Sequence, residues 1–451
     1  ASHANTTNTH ISAIMQTVKI PMPVAGVDKL SNETSLQKNT WRTAMNVDID
    51  RSGQVAVRDG FTRVLTGADY HSTWYAAQRG WLLAGKGSTL VRVDPLTATE
   101  TTLINVGSAS PFSYTEYNGN LYVVCSTGLY YVPSSSSSVR RCGAPQPAAP
   151  SATPSANGGL APGKYAVSIS LTDDMWEESP TSSEVFVDLP TGGGIQLAGL
   201  PIASNYLVNI YVTPTNGDIL YHYASPPASF ATHLVSANPS GAQSTTQFLT
   251  PFHGGRFVRW HNGRLYVVNG DTLSYSDAFR PHLTRTDTNF VQFSGNISFV
   301  EPVAGGIFVG DERGVWFLDG GDPTKFTQRR VSICRAVPGT SLVIPNEHFD
   351  PKVVNTTLPV AVWLCTSGYA VGTADGNVIE VNADIIRIPL ATSGNSVFAI
   401  RNGRKQVLTV TNSAEDAYGM AIDTVITTDP VERREDGNVE LRENGSFEFE
   451  E

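Results

Sequence analysis

The chain has 451 residues, of which 40% are hydrophobic and 16% charged, and its 41 acidic against 31 basic residues give a net charge of −10. This length is sufficient for two or three domains, and the 40 glycines and 27 prolines suit an all-β protein with many turns. The negative balance argues against a protein that wraps nucleic acid by neutralising its phosphates.

The cysteines and the apolar runs indicate the compartment. Cys125, Cys142, Cys334 and Cys365 form no Cys-x-x-Cys pair, which excludes the usual zinc and thioredoxin motifs. They are too few for a secreted disulfide scaffold, so we expect buried free thiols in a protein made in a reducing cytoplasm. The first residues lack the apolar core of a signal peptide, and no apolar run approaches the ~20 residues of a membrane span. We therefore expect a soluble protein.

For residues 1–70 we predict an N-terminal arm followed by a hairpin, the entry hairpin, which precedes the first repeated unit of the chain. Residues 1 to about 30 are rich in Thr, Asn and Ala with little periodicity, which predicts an extended N-terminal arm. Residues 41–61 alternate in polarity on both sides of Arg51-Ser52-Gly53, which predicts a hairpin. The hairpin loop also allows an alternative as a calcium loop, in which ligand positions 1, 3, 5, 6 and 12 would be Asp48, Asp50, Ser52, Gly53 and Asp59. Because the twelfth ligand should be Glu and helices should flank the loop, a hairpin turn is the main interpretation.

A turn followed by two apolar strands recurs along the chain, most clearly at residues 118–132 after Asn118-Gly119. The interval from Gly80 to Gly119 is 39 residues, and that from Gly263 to Gly306 is 43. Both match the ~40–45 residue period of a four-stranded propeller blade. The sequence therefore predicts an all-β fold built on a β-propeller, and leaves five to seven blades open.

The gap of 144 residues between Gly119 and Gly263 is too long for one blade and leaves roughly 100 residues, the size of an immunoglobulin-like sandwich. Residues 145–163 are rich in Pro, Ala, Ser and Gly, which predicts a linker. About six short strands follow, the last near residues 245–249. We predict one inserted sandwich at 145–250, which resembles a fibronectin type III domain, between propeller segments 71–144 and 251–415.

Residues 416–451 form an acidic C-terminal segment, for which a solvated tail is the main interpretation. Polarity alternates at residues 438–442 and 446–450, which also allows a final hairpin that pairs with a neighbouring chain.

The chain offers few motifs for chemistry. Gly80–Lys86 nearly matches a phosphate-binding loop, but Gly87 stands where Ser or Thr should hold magnesium, and a strand follows instead of a helix. No Gly-x-Ser-x-Gly elbow and no His-Glu-x-x-His motif occurs. We therefore assign no catalytic, cofactor-binding or metal residue, and we expect neither an enzyme nor a cofactor.

Two carboxylate pairs and two histidines are the remaining candidates. The carboxylates flank Trp176 in a predicted sandwich loop, where an exposed loop is the main interpretation and an acid/base pair the alternative. The histidines flank the start of a strand and are predicted to be turn residues rather than ligands. These residues are Asp173/Asp174, Glu177/Glu178, His253 and His261.

Three stretches together resemble phage tail nozzle (tail hub) proteins. They are the hairpin with Asn46-Val47-Asp48 and Val57-Arg58-Asp59-Gly60-Phe61, the stretch Leu273-Ser274-Tyr275-Ser276-Asp277 followed by Pro281, and Val315-Trp316-Phe317-Leu318-Asp319-Gly320 with Pro323 and Phe326. The insert, with Asn209-Ile210-Tyr211 and Asn216-Gly217, is similar to inserts in phage tail proteins.

The resemblance implies a virion structural protein of a bacteriophage tail, assembled in the host cytoplasm. Such proteins form a six-fold ring that closes a short tail, retains the packaged DNA and forms the conduit for its ejection. The implied partners are five further copies in a hexamer, a tail adaptor protein, tail fibres or tip proteins, and genomic DNA that passes without specific binding. An acidic balance is compatible with this role, because carboxylates repel phosphate.

Two other functions stay open on the sequence. A tail-tip or host-recognition protein would bind a surface glycan through the propeller or the sandwich, with exposed aromatic residues such as Trp176 contributing. A propeller hydrolase would need a catalytic constellation that the sequence does not offer.

Overall fold

A computed structural model describes residues 27–36, 40–44, 47–49, 55–57, 65, 67, 69–202, 205–227, 229–349, 354–381, 383–384, 387–388, 391–401 and 404–413. In this part of the chain the structure is almost entirely β, with three short 3-10 turns at Glu33–Ser35, Pro323–Lys325 and Asn346–His348. None of the described helical segments has the length and apolarity to cross a bilayer. Apart from residues 27–30, the predicted N-terminal arm lies outside the described residues, as does the acidic segment 416–451.

The entry hairpin forms as predicted. Strand β1 (Val47–Ile49) pairs antiparallel with β2 (Val55–Val57), and Val47 lies opposite Val57. Of the five positions of the alternative calcium loop, only Asp48 belongs to the described residues. The calcium interpretation therefore stays a hypothesis.

Two four-stranded antiparallel sheets follow, in each of which consecutive strands pair. In blade two, the turn between the first and second strands has Asn118 and Gly119 at φ of 50° and 75°. These left-handed conformations are what a type I′ turn requires, which explains the Asn-Gly pair. Blade one contains β3 (Tyr70–Ala76), β4 (Trp81–Lys86), β5 (Thr89–Val93) and β6 (Glu100–Asn105), and blade two contains β7 (Ser113–Tyr117), β8 (Asn120–Cys125), β9 (Gly128–Val132) and β10 (Arg140–Arg141).

The inserted sandwich comes next and has its own core. Its strands are β11 (Ser151–Leu160), β12 (Gly163–Thr172), β13 (Val185–Leu189), β14 (Gly193–Ala198), β15 (Leu207–Val212), β16 (Tyr221–Ala224) and β17 (Thr232–Val235). They form two sheets in the orders β11-β14-β17 and β13-β12-β15-β16. Ile195 of the first sheet and Ile169 of the second are fully buried in the shared core.

Two predictions for the insert are wrong. Residues 151–160, predicted to be linker, form β11, which pairs only with β14 and lies at a sheet edge. Its small side chains are mostly exposed, and Pro154 is tolerated because an edge strand leaves one row of backbone groups unpaired. Residues 245–249, predicted to be the last strand, form bends and a turn, and the sandwich ends at β17.

The propeller resumes after a short ribbon, in which β18 (Thr250–Pro251) pairs with β22 (Leu283–Thr284). Blade three contains β19 (Phe257–His261), β20 (Arg264–Asn269), β21 (Thr272–Tyr275) and β23 (Phe290–Gln292). Blade four contains β24 (Phe299–Val303), β25 (Gly306–Asp311), β26 (Gly314–Asp319) and β27 (Thr327–Ser332), and blade five contains β28 (Leu342–Ile344), β29 (Val360–Cys365), β30 (Gly368–Gly372) and β31 (Val378–Glu380). The last described element is a long hairpin of β32 (Ala391–Arg401) and β33 (Arg404–Ser413).

The middle strands of the blades are buried on both faces, which explains their continuous apolar runs. In β8, Leu121 packs against blade one and Tyr122 against blade three. In β25, Ile307 packs against blade three and Phe308 against blade five. Successive side chains of a strand point to opposite faces of its sheet. Blades two, three and four therefore each share one core with the blade before and another with the blade after. The described part of the chain is thus a β-propeller of five four-stranded blades and one final hairpin, with one inserted sandwich.

Candidate functional site: the central cavity and the domain junction

The first strand of each blade lies on the inner side of the ring. Strands β3, β7, β19, β24 and β28, together with the hairpin β32–β33, enclose a cavity of about 960 Å³. Hydroxyl, amide and aromatic side chains dominate its wall, and its charged residues are Glu116, Arg256, Arg259 and Glu301. Two acids and two bases leave the wall formally neutral, so the cavity presents no basic track for a polyanion.

An ion pair joins the blades at this wall, and its Arg259 side chain is 23% exposed to the cavity. Arg259 donates from Nη2 to Glu301 Oε1 at 2.6 Å and from Nε to Glu301 Oε2 at 3.0 Å. The Ser341 hydroxyl donates to Glu301 Oε1 at 2.8 Å, and Arg259 Nη1 donates to the Val258 carbonyl at 2.8 Å. Ser113 Oγ accepts the Val258 N–H at 3.1 Å. Ser113, Arg259 and Glu301 belong to the first strands of blades two, three and four, and Ser341 precedes that of blade five, so four consecutive blades share this network.

The electrostatics of the pair favour its charged form. Burial lowers the pKa of the Arg259 guanidinium, but the charge and the hydrogen bonds of Glu301 raise the pKa more, so it ends above its ordinary value. The Glu301 side chain is only 3% exposed and is satisfied by the guanidinium and the Ser341 hydroxyl. Both charges are therefore neutralised in place and have a structural role at the centre of the ring.

Aromatic rings line the cavity beside this pair. Trp74 stacks on Tyr114 with ring centroids 5.4 Å apart, and Tyr117 stacks on Trp260 at 4.2 Å. The buried Tyr114 hydroxyl has no hydrogen-bond partner among the described residues, and burial raises its pKa. The wall formed by blades one to three is therefore rich in aromatic residues, and its charged residues are Glu116, Arg256 and Arg259.

A second cluster lies where the sandwich docks on blade two, at the turn between β12 and β13. Arg140 Nη1 lies 3.3 Å from Asp173 Oδ2 and 2.7 Å from Asp174 Oδ1. Asp173 also fixes the turn, because its Oδ1 accepts the N–H groups of Met175 and Glu177 at 2.9 Å each. This turn therefore joins the two units through ion pairs.

The structure separates the two glutamates of this turn. Glu178 belongs to the sandwich, where its Oε1 accepts hydrogen bonds from the hydroxyls of Tyr211, at 2.6 Å, and Ser170. Glu177 faces the propeller, with its Oε1 4.0 Å from His282 Nδ1. The acid/base alternative would need the two carboxylates to address one substrate, whereas they contact different units.

The expectation of an exposed loop is only partly correct. Trp176 is 82% exposed and the Asp174 side chain is 76% exposed. The Asp173 side chain is only 6% exposed and that of Glu177 only 19%. The loop is therefore exposed at its tip and buried at its base, because its base packs on the propeller.

Burial shifts the titration of this junction. Burial and the nearby Asp173 raise the pKa of Glu177 to about 7, against the opposing effects of Arg140 and the Gly143 N–H. Burial lowers the pKa of His282 and, with the charge of Glu177, raises that of the Cys142 thiol. Among the described residues, Glu177 Oε2, His282 Nδ1 and two nitrogens of Arg140 lack a hydrogen-bond partner.

The other candidates from the sequence form no site together. Gly80 precedes strand β4 and Gly87 lies in the turn before β5, as predicted from the sequence. His253 interacts through Nδ1 with the Gly254 carbonyl, whereas His261 ends β19 and has a pKa lowered by burial. Within the described ranges no three His, Cys, Asp or Glu side chains converge on a possible metal position.

All four cysteines are free thiols as predicted. Cys125 and Cys365 are fully buried, whereas Cys142 and Cys334 are half-buried, which departs from the expected burial of all four.

Sequence reasoning missed the Arg259–Glu301 pair, although a signal for it exists. Phe257-Val258-Arg259 and Phe299-Val300-Glu301 occupy the same place in consecutive blades, 42 residues apart. An alignment of the blade repeats with one another would have brought these two opposite charges to equivalent positions. The sequence gives no comparable signal for the junction of Arg140, Glu177 and His282, because a loop of one domain meets residues of another domain that are distant in the sequence.

Comparisons with known proteins add little on function. No family model and no curated protein matches the chain. Among solved structures, it is similar to BBS1N in complex with ARL6DN, with 12% identity over 76% of this chain and 89% of that chain and a TM-score of 0.30. It is also similar to the N-terminal domain of Nup159 (8% identity, 76% and 74%, TM-score 0.26) and to Saccharomyces cerevisiae Sqt1 (10% identity, 70% and 86%, TM-score 0.24). At these identities and scores the likeness says nothing about what the chain does.

The ion pair yields a stability prediction. Glu301→Leu leaves the Arg259 guanidinium, whose side chain is 23% exposed at the cavity wall, without its counter-charge, and should destabilise the propeller by about 1–3 kcal/mol in urea unfolding. The double variant Arg259→Met with Glu301→Leu should recover most of this loss, because both charges are then gone. The exposed pair of Lys86 and Glu100, 2.8 Å apart, provides the control, and Lys86→Met should cost no measurable stability. Equal losses in the single and the double variant would contradict this role.

The junction yields a prediction of pH dependence. Because the pKa of Glu177 is raised to about 7 in the folded protein, the folded state binds more protons than the unfolded state between about pH 4.5 and 7. The contribution of Glu177 to stability is therefore present at acidic pH and is lost as the pH rises through this window. Glu177→Gln should flatten this slope and stabilise the protein by about 2 kcal/mol at pH 8, with little effect at pH 5.

Denaturant unfolding at a series of pH values measures this effect. Asp188→Asn, which removes an exposed carboxylate from β13, the strand after the junction turn, serves as the matched control. A stability change for Glu177→Gln that is the same at pH 5 and pH 8 would contradict the assignment.

Proposed function

We propose that this chain is a structural protein of a bacteriophage tail, which forms the nozzle or hub ring that retains packaged DNA and serves as the conduit for its ejection. The observation that carries the proposal is the resemblance to nozzle proteins of three separate stretches. These stretches overlap the entry hairpin β1–β2, β21 of blade three and β26 of blade four. The likeness is therefore spread over the propeller and its entry rather than confined to one repeat.

The packing of the two units supports a role in building a wall. The sandwich is joined to blade two by the Arg140 ion pairs with Asp173 and Asp174, and His282 Nε2 contacts the Glu178 carbonyl at 3.0 Å. Arg280 adds two hydrogen bonds to Thr245, at 2.9 and 3.0 Å. An insert held through several charged and polar contacts suits a rigid subunit of a ring.

The charge distribution supports a passage that does not retain DNA. The chain carries 41 acidic and 31 basic residues. The resulting net charge of −10 repels the phosphates of a duplex and lowers the affinity of the protein for it.

The assembly state tests the proposal. Analytical ultracentrifugation or native mass spectrometry of the purified chain should give a ring with six times the 48.4 kDa mass of one chain. Electron micrographs should then reveal a central opening, and a gel-shift assay at physiological salt should detect no retained duplex DNA. Monomers at every protein concentration, together with absence from phage particles, would overturn the proposal.

One observation favours a second function, the recognition of a surface glycan. Trp176 is 82% exposed at the tip of the junction turn and has a φ of 62°, a conformation that a bulky residue rarely adopts. An exposed indole offers a flat apolar face with a polar edge, which suits stacking on a sugar ring. The cost of this backbone conformation is consistent with a selected role for the side chain.

A glycan array with host envelope sugars tests this alternative. Binding that Trp176→Ala abolishes would support glycan recognition. Phe186, which is 75% exposed on β13, provides the matched control, since Phe186→Ala should leave binding unchanged. An array without hits, or hits that survive Trp176→Ala, would remove the alternative.

A further inference from the structure

The hairpin β32–β33 occupies the position of a sixth blade with only two strands. β32 lies beside β28 of blade five and lines the central cavity with the first strands of the other blades. On its blade-five face, Phe398 and Val407 pack into the core of that blade, and the Tyr369 hydroxyl donates to Thr409 Oγ1 at 2.7 Å. The hairpin therefore corresponds to the inner two strands of a blade.

The turn sequence agrees with this correspondence. Asn402-Gly403 separates β32 from β33 in the sequence. The pairs Asn118-Gly119 and Asn262-Gly263 stand at the equivalent place, between the first and second strands of blades two and three. The position of the hairpin and its turn sequence therefore both indicate that β32 corresponds to the first strand of a blade and β33 to the second.

The outer half of this blade is missing from the described residues. The sheet order of the hairpin ends at β33, whereas every other blade continues with a third and a fourth strand. An unpaired edge of this length presents a row of backbone N–H and C=O groups, which proteins usually cover. The face away from blade five also exposes Val397 (57%) and Val410 (48%).

We propose that residues 438–450 of the same chain form the outer two strands of this sixth blade. Polarity alternates in Val439-Glu440-Leu441 and again in Phe447-Glu448-Phe449, and Asn444-Gly445 between them is a strong hairpin signal. Residues 414–437 are long enough to return to the edge of β33, since an extended chain spans about 3.3 Å per residue.

Charge complementarity favours this occupant. Residues 391–413 contain three basic residues, Arg401, Arg404 and Lys405, and no acidic residue. Residues 438–451 contain five glutamates, at positions 440, 443, 448, 450 and 451, against the single Arg442. Cross-strand pairs of opposite charge stabilise a sheet, and the glutamates would disfavour pairing with another acidic edge. The proposal does not depend on the function proposed above.

Hydrogen exchange followed by mass spectrometry tests the pairing. In the full chain the amides of β33 should exchange slowly, and deletion of residues 438–451 should speed their exchange by at least about tenfold. Peptides that cover β29 and β30 should be unchanged, which verifies that blade five stays folded. Deletion of residues 420–433, which removes the same number of residues from the connecting segment, is the matched control and should preserve the protection of β33.

Three further variants keep the test decisive if the truncated chain does not fold. Phe447→Ser with Phe449→Ser should expose the β33 amides in an otherwise complete chain. Replacement of Arg401, Arg404 and Lys405 by Glu should also speed the exchange of the β33 amides. Adding Glu440→Lys, Glu448→Lys and Glu450→Lys to that variant should restore their protection. β33 amides that exchange at one rate with and without residues 438–451 would overturn the proposal.

A mixed assembly decides whether the strands come from the same chain. A shortened chain without residues 438–451 is isotope-labelled and purified by itself, and is then unfolded and refolded together with the unlabelled complete chain. If each chain completes its own blade, β33 of the shortened chain stays unprotected in the mixture. Protection of that β33 by its neighbour would overturn the assignment to the same chain, and would identify strand exchange between copies.

Discussion

The propeller depends on the bidentate pair of Arg259 and Glu301, located where the first strands of four blades approach one another. Blades contact each other mainly through apolar faces. Apolar contacts are not directional, so they fix the relative orientation of two blades only weakly. The pair adds direction, because a guanidinium and a carboxylate bond well only in one relative orientation. With Ser113 and Ser341 as additional partners, it connects blades two to five. The pair also makes misaligned blades costly, since a wrong register would leave a charge without its partner.

Around this centre, the apolar cores make the ring continuous. Each middle strand contributes alternate residues to two cores, so a blade cannot rearrange without disturbing both neighbours. Phe299, Phe308 and Trp363 illustrate this between blades four and five, with Trp363 5.1 and 5.4 Å from the two phenylalanine rings. Such sharing gives the ring rigidity at little cost in buried polar groups, because the hydrogen bonds are satisfied within each sheet.

The inserted sandwich is attached by a different kind of contact. Its own core is apolar, whereas its junction with the propeller includes charged and titratable groups with atoms that lack a hydrogen-bond partner among the described residues. Interfaces between domains are usually more polar than domain cores. The raised pKa of Glu177 therefore couples the protonation of this junction to the stability of the folded protein.

The sequence by itself determined the elements that local chemistry specifies. Asn-Gly turns, apolar strand pairs and a period near 40 residues predicted blades, and the excess length between two copies predicted the sandwich. Strand β11 escaped prediction because an edge strand with exposed side chains needs no apolar alternation. Only the tertiary structure decided that Arg259 meets Glu301 and that Glu177 and Glu178 face different units. Contacts between residues far apart in the chain depend on how sheets are arranged in space, and adjacent residues of one turn can point to opposite partners.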